Sequence, residues 1–303
     1  MARRVLAMRN LLPPFDLVGL ASEYGDVEFL QLPHGADGIT IGIGGLEKPK
    51  ILINSTAPET RMKFTLAHEM GHVVIPWHTG TIVSHLDPGE EDFEYLQMES
   101  EANRFAAELL MPSDWLSGEF EEAKSIEGYF HGVLKKSGAS KDAAFIKIFK
   151  ALAAPIICAY VDPNFRLIQL TRSSTAPYFS PARQTKIDKT MFGSDNEFEQ
   201  FEIDDRIYFS WRFTGKNITE IDPRNWREIL AVVLSDTNSA EKLQSTNATM
   251  AAAFQKSKAL SEPEICGAII RTFMTKDNLS YIASHPLFEQ YVLKRVKELS
   301  VRK

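Results

Sequence analysis

The chain has 303 residues, 44% hydrophobic and 24% charged, which is enough apolar content for one large core or two to three modest ones and too much for a disordered chain. A net charge of −6 excludes a protein built mainly to coat nucleic acid, because phosphate binding needs a basic surface. Cys158 and Cys266 are the only cysteines and form no C-x-x-C pair, which excludes a disulfide scaffold and a cysteine zinc module and predicts a reducing compartment.

No apolar run approaches the roughly 20 residues of a membrane span, and no secretory pattern follows Arg3 and Arg4, so a cytoplasmic protein without a membrane partner is expected. The charge is uneven. Residues 1–120 hold 8 basic and 18 acidic side chains, net −10, and the remainder holds 26 and 22, net +4. Two units with different work are one reading; solvated loop acids such as Glu90-Glu91-Asp92 account for part of the imbalance.

In chain order, Phe15 to Tyr24 reads as a short helix, and Val27–Leu32, Gly38–Gly42 and Lys50–Asn54 read as strands. A helix opening near Ser55, Thr56 and Pro58 should run to about Ile75, where Pro76 ends it. Residues 79–91 read as loop, and a helix from about Glu94 to Met111 stops at Pro112. Ser125–Lys136, a Ser137-Gly138-Ala139 turn and a helix capped by Ser140 form a helix-turn-helix-like pair. Pro155 opens a β-rich stretch with strands at Ile156–Val161, Arg166–Leu170 and Arg206–Phe213, and from about Ser239 the pattern is helical to a basic amphipathic tail. The expected fold is α+β: a small twisted sheet on two helices, a helix-turn-helix-like segment, a β-rich region and a helical tail. Expected domains are 1–120, 121–154 and 155–303.

The strongest chemical signal is His68-Glu69-Met70-Gly71-His72, an H-E-x-x-H on a predicted helix. Four-residue spacing puts both imidazoles on one face, within reach of one ion, while Glu69 is offset by about 100° and can meet a water. Two imidazoles and a carboxylate suit Zn²⁺, and Mn²⁺ or Fe²⁺ fit the same donors. A surface helix with solvated histidines is the plainer reading, but Phe64, Leu66, Ala67, Val73 and Val74 make this helix apolar, and buried unpaired imidazole is costly. On the downstream helix Ala102, Phe105, Ala106, Leu109 and Leu110 define the buried stripe. Glu99 lies on that stripe and is assigned as the third ligand, whereas Glu101 and Glu108 project off it. Asn103 shares the face of Glu99 and is assigned as a partner of a ligand histidine. The plainer alternatives are a solvated Glu99 and an Asn103 that only packs between helices.

Ile51-Leu52-Ile53-Asn54-Ser55, Arg61, the run Phe64–His72, and Glu99-Ser100-Glu101-Ala102-Asn103-Arg104-Phe105-Ala106-Ala107-Glu108-Leu109-Leu110-Met111-Pro112 together resemble the ImmA/IrrE family of metallopeptidases. The resemblance covers residues 27–115. It implies zinc on His68, His72 and Glu99, catalysis by Glu69, and a cytoplasmic protease that cleaves a helix-turn-helix transcriptional repressor to de-repress stress-response or mobile-element genes. It also implies a sensor domain in the rear of the chain, a plan from which the helices after Ser239 depart.

The expected activity is therefore metal-assisted peptide hydrolysis with Glu69 as general base. His78, His85 and Tyr95 are candidates for the oxyanion donor. The alternatives are a catalytically silent metal- or ligand-sensing regulator and a protease-like component of a toxin–antitoxin or phage-associated system. Lys135, Lys136, Lys141, Lys147 and Lys150 could touch DNA, but buttressing helices explain them better, and direct nucleic-acid binding is not expected. Tyr208-Phe209-Ser210-Trp211 and Cys158 read as strand core, and Lys294, Arg295, Lys297, Arg302 and Lys303 as a solvated helix face.

Overall fold

A short helix unforeseen from the sequence, α1 (Ala2–Arg9), opens the chain, followed by α2 (Leu17–Tyr24), which is N-capped by the Asp16 carboxylate accepting from Gly19 N–H at 3.0 Å. The computed structural model describes residues 1–84, 93–193 and 196–301. The chain divides into two units, Met1–Ala151 and Leu152–Lys303.

The first unit is built on strands β1 (Asp26–Leu30), β2 (Gly38–Ile43), β3 (Lys50–Asn54) and β4 (Gly80–Ser84), in the order β1-β3-β2-β4. β1 runs parallel to β3, and the other pairings are antiparallel. The β4 segment corrects the loop expected at residues 79–91. Its five residues pair Ser84 with Gly38 and Ile82 with Thr40 at the sheet margin, a strand too short for alternation to reveal between Gly80 and Pro88. Helix α3 (Glu59–Val74) follows Pro58 and packs on β2 and β3, with its Leu66, Ala67 and Met70 buried.

Helix α4 (Phe93–Leu110) lies against α3 with the predicted stripe Ala102, Phe105, Ala106, Leu109 and Leu110 buried. α4 ends ahead of Pro112 as expected, and a separate helix, α5 (Ser113–Glu122), starts at the next residue, followed by α6 (Ile126–Ser137) and α7 (Lys141–Ala151). Gly138 ends α6 with φ 63°, the left-handed conformation that costs glycine least, and Phe130 packs edge-on against Phe149. Lys136 is paired with Glu119 and Lys147 with Glu108, so two of the lysines weighed for DNA contact tie these helices to their own unit.

In the second unit β5 (Ile156–Val161), β6 (Leu167–Arg172), β7 (Asn196–Ile203) and β8 (Arg206–Phe213) form an antiparallel sheet ordered β6-β5-β8-β7. Cys158, Tyr208 and Trp211 are buried there, as strand-core residues should be. The helices begin earlier than Ser239: α8 (Trp226–Asp236) starts on an Asn225/Glu228 capping box and is followed by α9 (Leu243–Ser257), α10 (Glu262–Met274), α11 (Ser280–Ala283) and α12 (Phe288–Val301). They share a core that includes Ile229, Phe273, Phe288 and Tyr291. The basic face of α12 is not merely solvated, since Lys294 and Lys297 both bind Glu220 and Arg295 lies over the Trp226 ring. Arg302 and Lys303 lie outside the described residues. No helix among the described residues is long and apolar enough to cross a membrane.

Candidate metal centre

α3 presents His68 and His72 on successive turns, both buried, with their Nε2 atoms 3.0 Å apart. α4 brings Glu99 onto them. Its Oε2 lies 3.2 Å from His68 Nε2 and its Oε1 3.2 Å from His72 Nε2, and the ligand atoms of the three residues all fall within 4.8 Å of one another. Gly71 permits this approach: a Cβ there would meet Phe105 Cδ1 at 3.1 Å and the Ala102 backbone at 3.3 Å, so the two helices touch where no side chain intervenes.

The outer nitrogen of each imidazole is engaged. Asn103 Oδ1 lies 3.0 Å from His68 Nδ1 and can only accept, so the proton of a neutral His68 sits on Nδ1 and Nε2 keeps a lone pair. On His72, Nδ1 faces His78 Nδ1 at 2.9 Å. Lone pairs and a carboxylate converging in a buried pocket repel one another unless a cation lies among them, and two imidazoles with one carboxylate are a donor set that fits a borderline divalent ion such as Zn²⁺. Charge interactions within the cluster are strong. Burial alone would raise the Glu99 carboxyl, but the adjoining His68 and His72 imidazoles hold it down at about 2. Burial opposes charging of His68, yet the neighbouring Glu99 and Glu69 carboxylates raise it, while burial dominates at His72 and at His78 and lowers both.

Glu69 leaves α3 on another side and meets β2. Its carboxylate is fully buried, Thr40 Oγ1 donates to Oε2 at 2.5 Å, and Oε1 has no hydrogen-bond partner. Burial raises this carboxyl above its ordinary range, against the pull of His68 and of the Thr40 and Ser84 hydroxyls. Oε1 sits over Gly38, where a Cβ would come 2.8 Å from Glu69 Cδ and 2.7 Å from Thr65 Cγ2 and closer still to Oε1. Ser84, paired across the sheet with Gly38, places its Oγ 3.3 Å from His68 Nε2.

The residues singled out from sequence thus gather: His68, His72 and Glu99 in one cluster, Asn103 behind His68, and Glu69 beside them. The oxyanion candidates do not. His78 is buried behind His72, the Tyr95 hydroxyl donates to the Val83 carbonyl at 2.6 Å, and His85 lies outside the described residues. Sequence reasoning does not find Gly38, Thr40, Ser84 or Glu101. Alternation makes residues 38–42 a strand but does not say which face meets α3.

An H-E-x-x-H helix under a small mixed sheet, with a glutamate delivered from the next helix, defines the class of HExxH metallopeptidase domains. Residues 27–148 match the IrrE N-terminal-like domain of the Peptidase M78 family, which supports an ImmA/IrrE-type metallopeptidase domain in this part of the chain. Two curated relatives are similar to it. The radiation response metalloprotease IrrE of Deinococcus deserti is 28% identical over 138 residues, covering 43% of this chain and 49% of that protein. The protein of the same name from Deinococcus radiodurans is 28% identical over 139 residues, covering 46% of this chain and 41% of that protein. The match therefore spans half or less of the length of either relative.

Proposed function

We propose that the protein is a zinc-dependent endopeptidase that cleaves a helix-turn-helix transcriptional repressor, de-repressing stress-response or mobile-element genes. The observation that carries the hydrolytic part is the convergence of His68 Nε2, His72 Nε2 and the Glu99 carboxylate beside the unpartnered Oε1 of Glu69. Held by those three residues, Zn²⁺ supplies Lewis acidity, acidifying water and polarising a peptide carbonyl. Glu69 is the general base. Thr40 occupies Oε2, so the proton is taken up at Oε1 and handed from there to the leaving amine. β4 is the outer strand of its sheet among the described residues and touches His68 through Ser84, which suits an extended peptide added along that margin.

The repressor assignment rests on less. The name of the two relatives couples a metalloprotease to a radiation response, and the net −10 of residues 1–120 favours a basic, DNA-binding substrate. We assign residues 121–154 to buttressing that domain, residues 155–303 to sensing or substrate recognition, and the protein to the cytoplasm, where its two free cysteines stay reduced. The intact Glu69 and its fitted environment favour this reading over a silent metal sensor, which needs no general base.

The test is incubation of the zinc-loaded protein with purified helix-turn-helix repressors encoded beside its gene, with products read by mass spectrometry. Zinc-dependent cleavage at one bond, absent in Glu69→Gln, is the expected result. Stoichiometric zinc with every such repressor left intact would favour the sensor instead.

A further inference from the structure

We propose that Glu101 and His78 are positioning residues for His72: a carboxylate–imidazole–imidazole chain holds the His72 proton on Nδ1 and so aims the Nε2 lone pair at the ion. The proposal rests on the metal-binding reading above and adds to it two residues that touch neither ion nor substrate.

The chain begins where α3 ends. Pro76 prevents the helix from continuing, and the turn closed by His78 N–H to Ile75 C=O at 3.1 Å folds the His78 ring back onto the last turn of α3. His78 stands six residues beyond His72, close enough in sequence to serve as another imidazole ligand. Instead its Nε2 points to α4, 3.3 Å from Glu101 Oε2. Glu101 is itself held: Trp77 Nε1–H donates to Oε2 at 2.5 Å and Gln97 Nε2–H to Oε1 at 3.3 Å.

Each proton then follows from the one before. A carboxylate only accepts, so the proton of a neutral His78 is on Nε2 and its Nδ1 carries a lone pair. That Nδ1 lies 2.9 Å from His72 Nδ1, which must therefore donate. A neutral His72 protonated on Nδ1 has its lone pair on Nε2, the atom that faces His68 Nε2 and Glu99. His78 is only 1% exposed, so water cannot take its place. The two histidines are thus supported unequally. A neutral amide, Asn103, backs His68, while a charged carboxylate backs His72 through His78, and a carboxylate behind a ligand imidazole makes it a better donor.

The experiment measures two things on the full chain. Zinc affinity is read by competition with a chromophoric chelator, and histidine tautomers are read on the metal-free protein by long-range ¹H–¹⁵N correlation. We expect wild type to show His72 protonated on Nδ1. His78→Phe and Glu101→Leu should each lose about 10- to 100-fold in zinc affinity. His78→Asn puts an amide oxygen near the position of Nδ1, copying Asn103, and should recover part of the affinity that His78→Phe loses, since it restores the acceptor but not the link to the carboxylate. His72 protonated on Nε2 in wild type overturns the proposal, as do His78→Phe and Glu101→Leu variants that bind zinc as wild type does. Thermal unfolding controls for folding, and if His78→Phe does not fold, Glu101→Leu at the outer end of the chain decides. A wild type that takes up no zinc sinks the metal reading, while the tautomer of metal-free His72 still decides the relay.

Discussion

Gly38 and Glu69 occupy the same space to within a methyl group: a Cβ on Gly38 would overlap the Glu69 carboxylate, Oε1 most closely. Gly38 is pinned in the sheet between Ile53 on β3 and Ser84 on β4, so the strand cannot retreat and the carboxylate must. Gly38→Ala should lower kcat by about 100-fold, the cost typical of a misplacement near 1 Å. Zinc affinity, read by chelator competition, should hardly change, because Gly38 touches none of the three ligands. A Gly38→Ala protein with wild-type kcat contradicts this placement of the base.

Glu69→Gln separates chemistry from folding. The amide keeps the shape and can accept from Thr40, but it cannot take up a proton, so peptide cleavage should fall by at least about 10²- to 10⁴-fold with zinc still bound. The wild-type carboxylate is fully buried, with one oxygen lacking a partner, so removing its charge should leave Tm equal or higher. Calorimetry beside the activity assay checks both halves; a lower Tm would mean the carboxylate stabilises the fold.

Gly71 sets the distance between the helix of the histidines and the helix of Glu99. Alanine there gains about 1 kcal/mol of helix propensity and meets contacts of 3.1–3.3 Å, so Gly71→Ala should be nearly neutral in stability. Gly71→Val adds bulk that neither Phe105 nor the Ala102 backbone can absorb and should cost about 1–3 kcal/mol. The same variant should weaken zinc binding, because parting α3 from α4 draws Glu99 off the imidazoles. Chemical denaturation and zinc titration test the two effects together, and zinc affinity unaltered in a destabilised Gly71→Val would refute the link.

Glu108 predicts a pH dependence away from the site. Burial would raise its carboxyl, but hydrogen bonds from Lys147, Arg3 and the Ser113 backbone outweigh that and hold it at about 2. A carboxyl lower in the folded than in the unfolded chain stabilises above its ordinary pKa of 4.5, and the contribution is lost as pH falls from there towards 2. Glu108→Gln should therefore be less stable than wild type by about 2 kcal/mol at pH 7, an upper figure because Arg3 is largely exposed. The gap should shrink as pH drops from 5 towards 3, approximate bounds set by the same linkage. Urea denaturation of both proteins across that range checks it, and a constant gap contradicts the ion pairs.

Chelation should lower Tm as well as activity. Zinc at about 1,000 times its Kd adds about 4 kcal/mol to a fold that binds it only when native. A scanning calorimetry trace unmoved by chelator would mean that His68, His72 and Glu99 hold no ion under those conditions.

Much of this site is legible in the amino-acid sequence. His68 and His72 announce themselves by spacing on an apolar helix, and Glu99 and Asn103 by their place on the stripe of α4. What stays hidden depends on how separate segments meet. The strand around Gly38 is legible, but not that Gly38 and Thr40 face Glu69, because a one-residue change of register turns every side chain to the opposite face. Glu101 projects off the buried stripe and so resembles a solvated acid; only the turn after Pro76 puts His78 and Trp77 beside it. β4 is hidden because five residues beside a glycine carry too little pattern. Pro112 reads as a terminator, although proline sits as easily just before a helix as after one. The start of α8 is written in Asn225 and Glu228, three residues apart, and a search for capping pairs finds it.

On the proposed function, the base and the ion are braced by different contacts. Glu69 is gripped by the sheet through Thr40 and Gly38, whereas the ligand imidazoles are braced from α4 and from the turn after α3. On that reading, exchange of one divalent ion for another should therefore leave the Glu69 carboxylate where it is, and differences in rate between zinc-, manganese- and iron-loaded protein should report the Lewis acidity of the ion.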